Sequence, residues 1–386
     1  MIPAAAAVFL DYASLMVVMP LLPLWSRHLG ATPVLLGALL TTYAAAQLAC
    51  MPALGALSDR YGRKPVMVTS LALSATSFAL IAVADSLPVL FAARIVGGPG
   101  ASIVGAAHAI VSDRVPTARQ ARAMGCLGAA VGAAHAVGPA LGGALTHFGP
   151  SVPMWVAAAL SAGNTVITWA LLPETRRGSE PDTSRAPTLR WRELLRDRRI
   201  RELTAIALIL GCVTATLETV LVLFVHRTLG WGQSPIAWLR AYHGAVAIIV
   251  QLWIIGRCAA RFGERRVALG ALAVTGVGLV VLGLGATAVP ILLAVGFIAI
   301  GTGLISPLLA TLFSFASPPS NRGAVLGFAH GLTVVAHLFV PLTAGAAFTW
   351  SIGSPFLVAG LSCALGACLL AANSRTLLIP REATNE

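Results

Sequence analysis

Three ionisable side chains stand inside long apolar stretches of this sequence. Asp11 lies in LDYASLMVVMP, Arg94 in ARIVGGPGAS and Glu218 in ATLETVLVLF. A charge at the centre of a bilayer costs about 3 kcal/mol or more unless it faces water or a partner. We therefore expect these residues to line a watery site that binds a charged solute or a proton. The alternative is an internal ion pair in which Arg94 only neutralises one of the two acids.

Histidines add groups that titrate near neutral pH, where proton transfer is easiest. His135 and His337 lie 202 residues apart at corresponding places, and His330 precedes the second. We predict that these three histidines bind substrate or carry protons, with hydrogen-bonded packing as the alternative. Tyr12 is the aromatic residue expected to line the cavity, because an aromatic ring stacks on cations. Arg240 is interpreted as a residue that snorkels outward.

Membrane-spanning helices are the elements that must position these side chains. Hydrophobic residues make up 57% of the chain and charged residues 10%, too little charge for a water-soluble protein of this size. A helical span needs roughly 20 apolar residues. Residues 267–284 are apolar on every face, which excludes the alternation of a barrel strand. We predict twelve spans, beginning at Ala4, Pro33, Val66, Pro88, Arg122, Pro153, Leu203, Ser234, Val267, Pro290, Gly323 and Gly353.

The formal net charge of +12 follows the membrane topology rather than a nucleic-acid surface. With twelve spans, 22 of the 26 Lys and Arg residues fall on one side, as the positive-inside rule requires. We therefore predict a multi-pass protein of a bacterial-type inner (plasma) membrane with both termini cytoplasmic. Its basic loops are expected to contact anionic lipid headgroups, and no nucleic-acid partner is expected.

The chain divides into two halves around a polar, Arg-rich segment. We predict an N-terminal six-helix bundle at 1–172, a cytoplasmic linker at 173–200, a C-terminal six-helix bundle at 201–375 and a cytoplasmic tail at 376–386. The loop GALSDRYGRKP (Gly55–Pro65) is echoed by GRCAARFGERR (Gly256–Arg266) in the second half. Such parallel repeats place a binding site near the membrane midplane and are typical of alternating access.

The loop GALSDRYGRKP resembles the signature loop of the major facilitator superfamily, and the resemblance covers essentially the whole chain. It implies an all-α integral membrane protein with 12 transmembrane helices in two pseudo-symmetric six-helix bundles. It also implies a conformational latch on the cytoplasmic side, in which the first glycine allows close helix packing. The alternative is that the basic residues only set topology. The residues that match the latch are Gly55, Asp59, Arg60, Arg63, Asp113 and Arg122.

The fifth span carries a Gly-Pro pattern that resembles the motif of drug:proton antiporters in that superfamily. The resemblance implies export rather than uptake. The matching residues are Gly132, Gly138, Pro139, Gly142 and Gly143.

The segments around Asp11, Arg94 and Glu218 are similar to those of vesicular monoamine transporters and bacterial multidrug exporters. In that family the two acids handle the substrate amine and the proton, and the arginine supports the site. The family's acids in spans ten and eleven appear here as Ser306 and His330. The resemblance therefore implies proton coupling in which His330 replaces a carboxylate.

The sequence predicts a proton-coupled antiporter that exports lipophilic, cationic small molecules by alternating access. The expected partners are a small-molecule substrate, protons and membrane lipid, and we expect a monomer without cofactor or metal. Lys64 is the only lysine and precedes Pro65, so the phosphate-binding loop of an ATP-driven pump is missing, and no enzymatic activity is predicted. The alternatives are a metabolite uniporter or proton symporter for a neutral or zwitterionic solute, and a non-transporting sensor or scaffold.

Overall fold

Helices account for almost all of the chain that the computed structural model describes, residues 2–103, 106–107, 110–111, 115, 117–172, 196–316 and 322–372. The first half forms α1 (Ile2–Val18), α2 (Leu22–His28), α3 (Pro33–Tyr61), α4 (Arg63–Ala82), α5 (Leu87–Gly97), α6 (Thr117–Leu145) and α7 (Val152–Leu171). The second half forms α8 (Arg198–Leu229), α9 (Gln233–Ile249), α10 (Ile255–Phe262), α11 (Glu264–Leu284), α12 (Ala288–Phe315), α13 (Arg322–Trp350) and α14 (Ser354–Ala372).

The helices coincide with the twelve predicted spans. Ten helices of the described residues are long and apolar enough to cross a membrane, and the pair α1 and α2, bent by 42°, supplies one more. The bend falls next to Pro20, where the helix loses a backbone hydrogen bond. The shorter apolar helix Leu87–Ala101 corresponds to the fourth predicted span. The predicted fold class, an all-α membrane protein, is confirmed.

Both copies of the repeated loop turn sharply on a single glycine. Gly62 joins α3 to α4 at a φ of 106°, and Gly263 joins α10 to α11 at a φ of 78°. Residues with a Cβ are strained at such angles, whereas glycine adopts them freely. The two glycines occupy corresponding places in GALSDRYGRKP and GRCAARFGERR, so both loops make the same turn.

Contacts between helices divide the chain into two compact units. The first comprises the described residues of Met1–Arg185, Glu218–Gly244 and His337–Trp350. Within it α1 packs against α6 and α7, and α4 packs against α5 and α7. Fully buried apolar side chains such as Val8 and Met67 form its core. The residues of the candidate site belong to this unit.

The second unit comprises the described residues of Ala186–Leu217, Ala245–Ala336 and Ser351–Glu386. In this unit α11 packs against α12 and α14 around a core that includes Phe313. The linker and tail boundaries predicted from the sequence depend on residues 173–195 and 373–386, which lie outside the described residues. The division into two bundles at those boundaries therefore stays a prediction.

Candidate functional site

Asp11 is buried on α1. The residue is 6% exposed, and the hydroxyl of Ser74 on α4 interacts with its carboxylate. The amide of Asn164 on α7 donates a 2.8 Å hydrogen bond to the carbonyl of Ala7. Ala7 lies one helical turn before Asp11, so this bond fixes the rotation of α1 that aims the carboxylate. We call Asp11, Tyr12 and Ser74 the acidic pole of the site.

Glu218 on α8 is held by a histidine. Its Oε2 lies 3.1 Å from Nε2 of His337 on α13, and both side chains are about one quarter exposed. Because a carboxylate accepts, the imidazole donates its Nε2 hydrogen in this bond. Such a bond becomes stronger and charge-assisted when the histidine is protonated. The structure thus brings together two of the residues that the sequence singled out.

Arg94 on α5 is buried without a direct carboxylate contact. The residue is 1% exposed, and its guanidinium carbon lies 4.4 Å from the ring centre of Tyr43. One terminal nitrogen lies 3.6 Å from the sulfur of Met19, and Nε has no hydrogen-bond partner. Within the described residues no salt bridge joins Arg94 to an acid. Its interaction with Glu218 is electrostatic and longer in range.

Arg240 and His243 on α9 also belong to the site, although sequence reasoning treated the first as a snorkelling residue and omitted the second. Arg240 is half-buried and interacts electrostatically with Glu218. His243 lies three residues further on the same helix face, and its buried Nε2 has no hydrogen-bond partner. A cation and an imidazole three residues apart inside a predicted span could have indicated from the sequence that both residues belong to the site. We call Glu218, His337, Arg94, Arg240 and His243 the mixed-charge pole.

The two corresponding histidines have different surroundings. His135 on α6 is exposed, and its Nδ1 donates a 2.9 Å hydrogen bond to the carbonyl of Val131. Its ring centre lies 6.0 Å from that of Tyr12, and it interacts electrostatically with Glu218. His337 is instead bonded directly to Glu218. His135 therefore lies between the acidic pole and the mixed-charge pole, whereas His337 belongs to the latter.

The Gly-Pro segment of α6 packs tightly against α1 and α9. A Cβ at Gly138 would collide with Met16, and one at Gly142 would lie 2.6 Å from the carbonyl oxygen of Val17. A Cβ at Gly143 would lie 2.8 Å from that of Ala237 on α9. The other two residues of the motif, Gly132 and Pro139, lie in the same helix. The motif thus holds the helices that carry the two poles close together.

The latch predicted on the cytoplasmic side is only partly described. Arg60 is exposed with its guanidinium 5.3 Å from the ring centre of Tyr61, and Arg63 donates a 3.1 Å hydrogen bond to Ser58. Gly55 was expected to permit close helix packing, but a Cβ there would meet no described atom within 4 Å. The described residues therefore give no close helix contact at Gly55. The latch itself stays a prediction, since Asp113 and the side chains of Asp59 and Arg122 lie outside what is described.

Two further expectations were the role of His330 as a proton carrier and the absence of a metal site. The side chain of His330 on α13 lies outside the described residues, so its role as a proton carrier stays a prediction. Among the residues that the structure describes, no group of three or more His, Cys, Asp or Glu side chains is arranged to hold a metal ion.

Comparison with known proteins agrees with this architecture. Residues 4–257 match the Major Facilitator Superfamily. The chain is 32% identical over 374 residues to the class G tetracycline resistance protein of Vibrio anguillarum, covering 91% of this chain and 93% of the relative. It is 29% identical to the class C tetracycline resistance protein of Escherichia coli, covering 94% of this chain and 92% of the relative. Multidrug resistance protein 2 of Bacillus subtilis is 26% identical, covering 93% and 91%.

Solved structures show the same fold at lower identity. A nucleoside transporter superposes with a TM-score of 0.77 at 14% identity, covering 96% of this chain and 98% of that one. The human organic anion transporter MFSD10 superposes with a TM-score of 0.71 at 21% identity, covering 95% of this chain and 98% of that one.

A bundle of apolar helices that buries a few ionisable side chains defines the chain as a multi-pass membrane transporter. It belongs to the Major Facilitator Superfamily. The assignment made from the sequence, to this superfamily and within it to the drug:proton antiporters, is confirmed.

Proposed function

We propose that the protein is a secondary antiporter of the inner membrane that exports lipophilic, cationic small molecules in exchange for protons. The observation that carries the proposal is the surroundings of Asp11. This residue is 6% exposed in a predicted membrane span, and no cationic side chain among the described residues forms a salt bridge with its carboxylate or is among the groups that interact with it. A buried carboxylate without a counter-ion requires either a proton or a bound cation.

Exchange follows from that requirement. A proton and a substrate cation both neutralise Asp11, so binding of one disfavours binding of the other. Tyr12 follows Asp11 in the sequence and interacts electrostatically with it, and we propose that its ring stacks on the cationic centre. If both termini are cytoplasmic, inward movement of protons then drives outward movement of substrate. The relatives named for tetracycline and multidrug resistance support the outward direction, because a transporter confers resistance by removing the compound from the cell.

The test uses purified protein in liposomes and the ethyl ester of rhodamine B, a lipophilic fluorescent cation. We expect the wild type to accumulate the ester when a proton gradient is imposed, and Asp11→Asn to behave like empty liposomes. Asp85→Asn is the matched control, because Asp85 is exposed outside the spans. Accumulation by Asp11→Asn at the wild-type level would contradict the proposal. Exchange of ester for ester that ignores the gradient would favour a uniporter.

His330 is proposed as the proton carrier that replaces the acid of the eleventh span. We expect His330→Ala to bind the ester but to lose accumulation driven by the proton gradient, because imidazole is the titrating group at that place. Binding in detergent and accumulation in liposomes measure the two properties separately. An unchanged dependence on the gradient would remove His330 from the mechanism.

A further inference from the structure

Among the described residues, positive side chains outnumber negative ones around Glu218. Arg94 and Arg240 both interact electrostatically with this carboxylate. Asp11 is the other acid inside the predicted spans, and it belongs to the acidic pole. A guanidinium stays protonated in proteins, so two permanent cations interact with this carboxylate. His337 adds positive charge whenever its imidazole is protonated.

Two buried nitrogen atoms of the mixed-charge pole lack hydrogen-bond partners. They are Nε of Arg94 and Nε2 of His243. The described contacts of Arg94 are weak, because an aromatic ring and a thioether sulfur are poor hydrogen-bond acceptors. Buried polar atoms in native proteins are almost always paired, so each exception needs an explanation. A ligand that brings oxygen acceptors would supply the partner of the Arg94 Nε–H group, and that of His243 Nε2 when this nitrogen carries the hydrogen.

Arg240 stands on the face of α9 that packs against α6. Ala237 and Gly244 lie three residues before it and four residues after it, on the same face. Ala237 meets Gly143, and a Cβ at Gly244 would lie 2.7 Å from the Cα of Ala136. Arg240 is therefore held between two close helix contacts rather than directed into lipid.

We propose that Arg240 and His243 form a subsite for an anionic or oxygen-rich group of the substrate, while Asp11 takes the cationic group of the same molecule. The preferred substrates are then amphoteric rather than simple lipophilic cations. Glu218 acts as the internal anion that neutralises the guanidinium groups while the subsite is empty. This inference rests on the proposed function, because it takes Asp11 as the cation site.

A pair of probes that differ in one group tests the subsite. Rhodamine B carries a carboxylate beside its cationic chromophore, and its ethyl ester carries none. Binding of each to detergent-solubilised protein is measured by fluorescence anisotropy, and the result is the ratio of the two affinities. We expect the wild type to bind the acid at least as tightly as the ester.

Three substitutions then separate the charge of Arg240 from its shape. In Arg240→Gln we expect the ratio of acid to ester affinity to fall about tenfold or more, because a charge-assisted contact is lost. Arg240→Lys should keep part of the preference, because an ammonium keeps the charge but not the planar fork. His243→Gln should lower the ratio by a smaller factor. Arg227→Gln is the matched control, since Arg227 is exposed at the outer end of α8.

Each outcome decides for or against the subsite. An unchanged ratio in Arg240→Gln, or a fall of equal size in Arg227→Gln, overturns it. If Arg240→Gln does not purify as a folded protein, Arg240→Lys decides, and an unchanged ratio there overturns the subsite as well. If replacing chloride by gluconate removes the effect of Arg240 on both probes, the subsite holds an inorganic anion and the proposal is wrong. If the ester is not transported, or if its transport does not depend on Asp11, the proposed function is contradicted rather than the subsite.

Discussion

The acidic pole and the mixed-charge pole place their carboxylates in opposite surroundings. Asp11 has the hydroxyl of Ser74 beside it, and no cation contacts it directly within the described residues. Glu218 is hydrogen-bonded to His337 and shares its surroundings with two guanidinium groups. A carboxylate without a counter-ion exchanges protons for cations, whereas one that is already neutralised holds a charged network together. Under the proposed function, this difference gives exchange to Asp11 and arrangement of the charged network to Glu218.

The largest effect is expected from removal of the stacked cation. Arg94→Gln leaves Glu218 with less compensating charge and removes the cation–π contact with Tyr43, which is worth about 2 kcal/mol or more when desolvated. We expect a strongly lowered unfolding temperature in detergent and little transport. Arg94→Lys should recover part of the stability, because the charge remains but the planar stacking is lost. Equal stability of Arg94→Gln and wild type would show that the mixed-charge pole is not a coupled network.

Close contacts between α6 and α9 hold the mixed-charge pole in place, so a methyl group added at such a contact should disturb the pole. Gly143→Ala places a Cβ 2.8 Å from that of Ala237, and overpacking of this kind costs about 1–3 kcal/mol. We expect a lower unfolding temperature together with weaker binding of rhodamine B. Gly163→Ala is the control, because a Cβ there meets nothing within 4 Å. Loss of stability in the control but not in Gly143→Ala would contradict the packing argument.

A double-mutant cycle measures the bond between Glu218 and His337. Because the pair is partly exposed, we expect a coupling of about 1–2 kcal/mol between Glu218→Gln and His337→Gln in thermal unfolding. The cycle of Glu218→Gln with His135→Gln should be nearly additive, because His135 is bonded to the backbone of its own helix. Additivity in the first cycle would separate His337 from the mixed-charge pole.

The smallest effect is expected from removing the hydrogen bond of Asn164 that orients α1 and its Asp11. Asn164→Ala removes the hydrogen bond to the carbonyl of Ala7, which is worth about 1 kcal/mol. We expect weaker binding of the rhodamine ester with a nearly unchanged ratio of acid to ester affinity, since the mixed-charge pole is untouched. Thr165→Ala is the neighbouring control, because Thr165 bonds to its own helix. An altered ratio in Asn164→Ala would show that the two poles are not independent.

Sequence reasoning located the elements of the site better than its contacts. Apolar runs of the required length placed every predicted span on a helix, and the cost of buried charge identified Asp11, Arg94 and Glu218. The partner of Glu218 lies 119 residues away, so spacing along the chain could not reveal it. Arg240 was misjudged because the direction of a side chain depends on helix packing, which hydropathy does not report.

Proton release in detergent tests the central assignment of Asp11 most directly. The rhodamine ester is added to weakly buffered, purified protein, and the change in pH is recorded. We predict that the wild type and Asp85→Asn release protons as the cation binds, and that Asp11→Asn releases none. Release by Asp11→Asn equal to that of the wild type would contradict the account, because the proton displaced by the substrate would then come from another residue.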